Sequence, residues 1–220
     1  MTWVAGAADE ADQGWGPAYG LFAAEVSKRG LSEGVEIGVA FAGHSASMLE
    51  GAACIEKLWS VDPYLHQADY DDPINVSQVK FDEIYQFAFA RLEPFGDRSS
   101  LVRATSLDAA EIIPGSVDFV YVDAVHTAEA VWSDLMLWTP RIRPGGLIGG
   151  HDYRHPNFPG VTTAVDHLIS QTGWPFTSAG EGVWWAERGD VDFGSLGPMP
   201  QVVEESTDSR MRQLIRRIRG

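Results

Sequence analysis

A single cysteine in 220 residues has nothing to pair with, so no internal disulfide frames this chain, and Cys54 fits a reducing compartment. No apolar run approaches the roughly 18 residues that a membrane span needs. The first dozen residues are acidic where a signal peptide is basic and then apolar, so a cytoplasmic location is expected. Basic residues are also scarce, 16 against 31 acidic ones, and the resulting net charge of −15 repels phosphate backbones and argues against a nucleic-acid partner. Internal repeats and low-complexity tracts are absent.

What is present belongs to an ordinary globular protein: 45% of residues are apolar and 21% charged, which excludes a disordered composition and supports one domain with a substantial core. The one basic cluster is Arg210, Arg212, Arg216, Arg217 and Arg219. Its apolar companions Met211, Leu214, Ile215 and Ile218 recur at helical spacing. Docking on the acidic body or on a second subunit is the expectation, and a homodimer the expected assembly.

Five apolar runs read as strands: Val35 to Val39, Leu58 to Val61, Ser100 to Arg103, Val117 to Asp123 and Gly146 to Gly150. Helical patterns separate them, which predicts a parallel sheet covered on both faces, a doubly wound α/β fold. Trp174 to Ser178 and Val183 to Glu187, joined through Gly180, Glu181 and Gly182, read as an antiparallel hairpin at one sheet edge. The expected plan is a core over residues 34–187, an N-terminal helical or lid segment over 1–30 and a tail over 188–220. Met1 to Tyr19 and the Gly/Pro-rich Gly189 to Pro200 are expected to lie outside the core. Cys54 falls in a helical-looking run after Gly51 and reads as a buried structural thiol.

Open α/β sheets bind ligands beyond the carboxyl ends of their strands, so the residues after the first strand matter most. They read Glu36-Ile37-Gly38-Val39-Ala40-Phe41-Ala42-Gly43-His44-Ser45. Glycines let the backbone approach a ligand, and the following helix N-terminus offers N–H groups to an anion such as a carboxylate. Ser45 can add a hydroxyl. Asp62 ends the second strand 19 residues after Gly43 (62 − 43), close to the roughly 20-residue spacing at which an acid meets ribose hydroxyls. An adenosyl group is implied. These residues, with Ala104 to Asp108 after the third strand, resemble the cofactor motifs of class I S-adenosylmethionine-dependent methyltransferases. The fold so implied is Rossmann-like, with a mostly parallel seven-stranded sheet. By that resemblance Ser45 and the loop at Gly38 to Gly43 hold the methionine moiety, Asp62 the ribose, and Ser106 with Leu107 the adenine edge, with Glu36 and Asp123 as further cofactor-binding residues.

The fourth strand runs into Asp123-Ala124-Val125-His126 and the fifth into His151-Asp152-Tyr153. Carboxylates at the ends of adjacent parallel strands face one crevice, and hard cations such as Mg²⁺ choose oxygen ligands. Asp123 and Asp152 are therefore candidate metal ligands; the alternative is that each caps the helix after it. His126 is the candidate base and His151 its rival, since histidine takes a proton near neutral pH. Asp-x-x-His, then Asp134-Leu135 and Trp138, then Arg143 to Gly146 and Gly150 to Tyr153, is similar to the metal-dependent small-molecule O-methyltransferases. Catechol O-methyltransferases carry a lysine where this chain has His126, whereas macrolide-sugar O-methyltransferases carry histidine. Tyr153 stands where the catechol enzymes have a ligating asparagine, which implies it as third metal ligand.

An alcohol is a poor nucleophile until a cation stabilises its alkoxide and a base takes its proton, so metal plus histidine suits a hydroxyl acceptor. Eight tryptophans, among them Trp3, Trp15, Trp174, Trp184 and Trp185, can offer flat faces to a sugar or simply pack the core. The whole chain is similar to the 1-O-methyltransferases of methylmannose polysaccharide synthesis, which implies a methylated mannoside as acceptor. Phenols and other natural products are the alternative acceptors. Two rivals come from other classes: a non-catalytic nucleotide- or metabolite-binding module, and a dinucleotide oxidoreductase, against which the missing G-x-G-x-x-G counts.

Overall fold

The side chains of the fourth strand alternate between two separate cores. Phe119 and Tyr121 enter one buried cluster, and Val120 and Val122 enter the other, as a strand covered on both faces requires. The computed structural model describes residues 2–68 and 74–198. Along the chain come α1 (Thr2–Arg29), β1 (Glu33–Ile37), α2 (Gly43–Gly51), β2 (Lys57–Val61), α3 (Gln78–Leu92), β3 (Ser99–Val102) and α4 (Ser106–Ile112). Then follow β4 (Val117–Val122), α5 (Ala128–Trp138), β5 (Ile142–Gly150), α6 (Pro159–Thr172), β6 (Phe176–Gly180) and β7 (Val183–Glu187).

These strands form one seven-stranded sheet in the order β3-β2-β1-β4-β5-β7-β6. β1 to β5 are parallel, and β7 pairs antiparallel with both β5 and β6. This is the Rossmann-like methyltransferase topology with a closing hairpin, as the sequence predicts. The hairpin turns through Gly180, Glu181 and Gly182, all at positive φ. β6 begins after Pro175, which has no N–H to give the ladder. β5 begins at Ile142, earlier than its apolar run, because Ile142 pairs with Val117 and a register shift before Leu147 and Phe119 takes up the Pro-Gly-Gly segment, whose two glycines bond Arg188.

Three expectations are corrected. The N-terminal segment is part of the core: Val4, Ala8, Ala18, Phe22 and Val26 are buried in the first cluster. Alanines contribute little hydropathy, but their small side chains let α1 lie close along α2. The stretch after β7 also packs, with Val191, Phe193 and Leu196 against the second cluster. Cys54 sits in a turn, since α2 stops at Gly51, and its half-buried thiol lies 3.9 Å from the Val26 carbonyl. The basic cluster Arg210 to Arg219 lies outside the described residues.

Candidate active site

Strand order reverses between β1 and β4, so the crevice opens above their carboxyl ends. Gly38 sets its floor. It has φ +91°, and a Cβ there would fall 1.9 Å from the Asp123 carbonyl oxygen, so only glycine lets the loop after β1 lie against the loop after β4. Gly38→Ala combines an unfavourable φ with a backbone clash. It is expected to lower the melting temperature and cofactor affinity together, with a cost on the order of 1–3 kcal/mol; thermal denaturation of a cofactor-free sample measures the first part. Unchanged melting would remove the close-approach argument.

Asp62 holds this loop from the side. Its carboxylate accepts from the N–H groups of Val39 (3.0 Å), Ala40 (3.1 Å) and Tyr64 (2.7 Å). Burial outweighs those bonds and raises its pKa above the usual carboxylate range. Ala40 and Tyr64 both sit at positive φ, and the Tyr64 hydroxyl donates to the Ala40 carbonyl at 3.0 Å. Of the roughly four lone-pair directions of a carboxylate, three are in use for loop support, which leaves one open to a ligand. Asp62→Ala should therefore cost cofactor affinity and also stability, each hydrogen bond to a charged group being worth about 1.5–3 kcal/mol. Asp62→Asn, which keeps the acceptor oxygens in part, should recover melting temperature more than affinity. Calorimetric titration beside thermal melts separates the two; equal recovery would leave only the scaffolding role.

Glu36 and Ser45 work beneath the loop. Glu36 is 2% exposed and accepts from His44 Nδ1 (2.8 Å), from Ser60 Oγ (3.3 Å) and from the hydroxyl of the fully buried Ser45. Their side chains have no surface to offer a ligand, which corrects the direct-contact expectation for both. What α2 presents to the crevice is the backbone of its first turn at Gly43. The partly exposed Ser106 has its hydroxyl engaged, accepting from Trp138 Nε1 at 2.8 Å and bonding Asp134. Thr105 caps α4, and Leu107 is exposed at its first turn, where an adenine edge can still meet it.

At the far side of Gly38 the structure brings Asp123, His126 and Asp152 together, with one ligand atom from each within 4.8 Å of the others. Asp123 directly follows β4, Asp152 lies two residues beyond β5, and His126 rides the loop that Thr127 caps into α5. His126 Nε2 lies 3.0 Å from Asp152 Oδ2 and 3.7 Å from Asp123 Oδ1. His151 Nδ1 reaches the same Asp152 oxygen at 3.3 Å. Burial pushes the Asp152 pKa up, but hydrogen bonds from His126 and His151 outweigh it and hold the carboxyl well below its usual range. Burial pushes His151 down, while Asp152 and Asp123 raise it to a net increase. Asp152 also takes φ +59°, a left-handed conformation of the kind that gathers at functional sites.

Tyr153 does not join this group. Its hydroxyl donates to Asp166 on α6 at 2.7 Å and its ring packs in the second core against Phe176, so it offers no third ligand beside the two aspartates. The two carboxylates of this half-buried cluster fit a hard divalent cation, and the His126 imidazole lies beside them. Trp174 and Trp184 are buried in the core and present no face to a sugar. Sequence reasoning missed Tyr19, whose ring edge meets His44 and whose hydroxyl lies beside Gly43. Burial, then the charges of Asp12 and Asp123, keep the Tyr19 proton on the phenol well above neutral pH. No sequence signal marks a single aromatic on a helix as reaching the next helix's first turn.

Among the described residues no helix is long and apolar enough to cross a membrane. The model of a family described as methyltransferase domain matches residues 35–153. No curated protein matches the chain. The structure resembles the O-methyltransferase NovP, with 15% identity over 79% of each chain and a TM-score of 0.60. It also resembles an O-methyltransferase from Bacillus cereus in complex with SAH, with 13% identity over 78% of this chain and 81% of that one and a TM-score of 0.58. A third is TomG from Streptomyces achromogenes, an O-methyltransferase of tomaymycin synthesis in complex with SAM, with 16% identity over 79% and 80% of the chains and a TM-score of 0.59.

Proposed function

Because the chain belongs to the methyltransferase-domain family, we propose that it transfers the methyl group of S-adenosylmethionine to a hydroxyl of a small molecule, with a divalent cation and a histidine base. The observation that carries this reading is the convergence of Asp123, His126 and Asp152 beside the Gly38 turn. A methylation site that acts on an activated sulfonium needs mostly alignment. Deprotonating an acceptor calls for more, and this cluster has the means to do it.

In the proposed reaction the loop at Gly38 and the first turn of α2 seat the methionine end of the donor, and Asp62 takes the ribose. Asp123 and Asp152 would hold the cation, which would supply charge stabilisation to the developing alkoxide. His126 receives the hydroxyl proton at Nε2. Aromatic and acidic groups around Tyr19 and Asp123 favour the sulfonium charge. Phenols lose a proton far more readily than sugar alcohols, so the pairing of base and carboxylates supports an aliphatic hydroxyl, in keeping with a sugar and with the 1-OH of a methylated mannoside. The chain acts without nucleic acid, in the cytoplasm, as a homodimer.

The test is transfer of labelled methyl from S-adenosylmethionine to a panel of mannosides, other sugars and catechols, with and without Mg²⁺. Label on a mannoside hydroxyl supports the reading. Label on catechols alone overturns the sugar assignment, and tight cofactor binding with no transfer to any hydroxyl favours the binding-module alternative.

A further inference from the structure

We propose that the Phe158-Pro159-Gly160 start of α6 is a clamp that holds His126 in the site, with Phe158 as a positioning residue. The inference rests on the reading of His126 as the base. His126 lies on the loop between β4 and α5, its Nε2 facing Asp152 and Asp123. Phe158 constrains the imidazole from its flat face: the two rings stack with centroids 4.0 Å apart and planes 25° apart. His155 stacks on the same phenyl group at 4.8 Å and 24°, giving a His126–Phe158–His155 array.

The grip extends to the backbone. A Cβ at Gly160 would fall 2.5 Å from both the His126 carbonyl oxygen and the Ala128 amide nitrogen, so the missing side chain lets the first turn of α6 close directly on the loop. Phe158 is itself anchored, donating its N–H to the His155 carbonyl at 3.1 Å and accepting from Val161 at 3.2 Å, with its ring against the second core. Ring and backbone of one residue are thus held by two positions, Phe158 and Gly160. Its Nε2 meets Asp152 at 3.0 Å at the open end. Ordinary core packing needs apolar volume at position 158; a flat ring in register with two imidazoles serves orientation.

The experiment compares Phe158→Leu, Phe158→Tyr, His126→Ala and the double variant Phe158→Leu/His126→Ala, with labelled S-adenosylmethionine and methyl mannoside or catechol as acceptor. A small displacement of a catalytic group can cost up to about 10²-fold, so Phe158→Leu should lower kcat by roughly 10- to 100-fold. KM and cofactor affinity should stay near wild type, and Phe158→Tyr, which keeps the flat ring, should restore most of the rate. The double variant should be no slower than His126→Ala. Unchanged kcat in Phe158→Leu, or a loss shared with melting temperature and cofactor affinity and not rescued by tyrosine, overturns the clamp. Proton NMR of the free protein gives a readout without turnover. His126 ring protons should lie upfield through the Phe158 ring current, keep that shift in Phe158→Tyr and lose it in Phe158→Leu. If His126→Ala keeps full turnover, the base assignment falls, and the NMR result alone then decides the clamp.

Discussion

Replacing His126 with alanine is expected to lower kcat by about 10² to 10⁴, the usual share of general base catalysis, with substrate and cofactor affinities close to wild type. The reason lies in placement. His126 Nε2 is 3.0 Å from Asp152 and 3.7 Å from Asp123, so a hydroxyl drawn to the two carboxylates and their cation arrives beside an imidazole. A base must be unprotonated to act, so the wild-type rate should rise with pH through a histidine limb, and the variant should lose that limb. His151 is the control. It touches the same Asp152 oxygen at 3.3 Å, and its proton is held more firmly than in a free histidine. With His126 as the base, His151→Ala should keep the limb. If His151→Ala removes it and His126→Ala does not, the base is on β5. A purely structural His126 would instead lower melting temperature and binding together.

The fold was readable from the sequence because strands buried on both faces are continuous apolar runs. Val117 to Val122 and Val183 to Glu187 fall where the hydrophobic pattern puts them. The edges were harder for chemical reasons. The Pro-Gly-Gly before Leu147 has the composition of a turn but runs in β5, since tertiary pairing overrides local preference. The helix α1 was legible as helix yet not as core, because Ala8 and Ala18 bury themselves with almost no hydropathic signal.

At the site, sequence spacing brought together Gly38, Asp62, Asp123, His126 and Asp152, all backbone-determined positions at strand ends. Side-chain direction was the illegible part. Glu36, Ser45 and Ser106 lie in β1, α2 and α4 at the crevice end of the sheet, but their polar atoms are engaged by His44, Ser60, Trp138 and Asp134. Tyr153 is one residue from Asp152 yet bonds α6, because the left-handed backbone at Asp152 (φ +59°) leads into a turn that sends the next side chain in another direction. Phe158 gave no signal at all; an aromatic before Pro-Gly reads as a helix start, and its stacking on His126 exists only in three dimensions.

Removing divalent cations with EDTA is expected to abolish methyl transfer, and adding Mg²⁺ back to restore it. Two carboxylates within a cluster whose ligand atoms lie within 4.8 Å repel each other unless a cation or protonated histidines sit between them. In the metal-free chain the histidines fill that role: their hydrogen bonds hold Asp152 ionised despite its burial. Protons and cation therefore compete for one place, which sets the sign of the pH dependence. His151 is shifted upward, so raising the pH through its titration removes a proton that stands in for the metal, and apparent Mg²⁺ affinity should increase with pH over that interval. Protonation of Asp152 itself should interfere only in strong acid. Asp152→Asn, which removes the shared negative charge, should raise the Mg²⁺ concentration needed for half-maximal rate while leaving cofactor affinity nearly unchanged, since Asp62 and the Gly38 turn are untouched. Isothermal titration with Mg²⁺ across pH, beside rates in EDTA-treated enzyme, measures both effects. Full turnover in metal-free buffer would refute the cation requirement, and Mg²⁺ affinity that does not vary with pH would refute the competition with histidine protons.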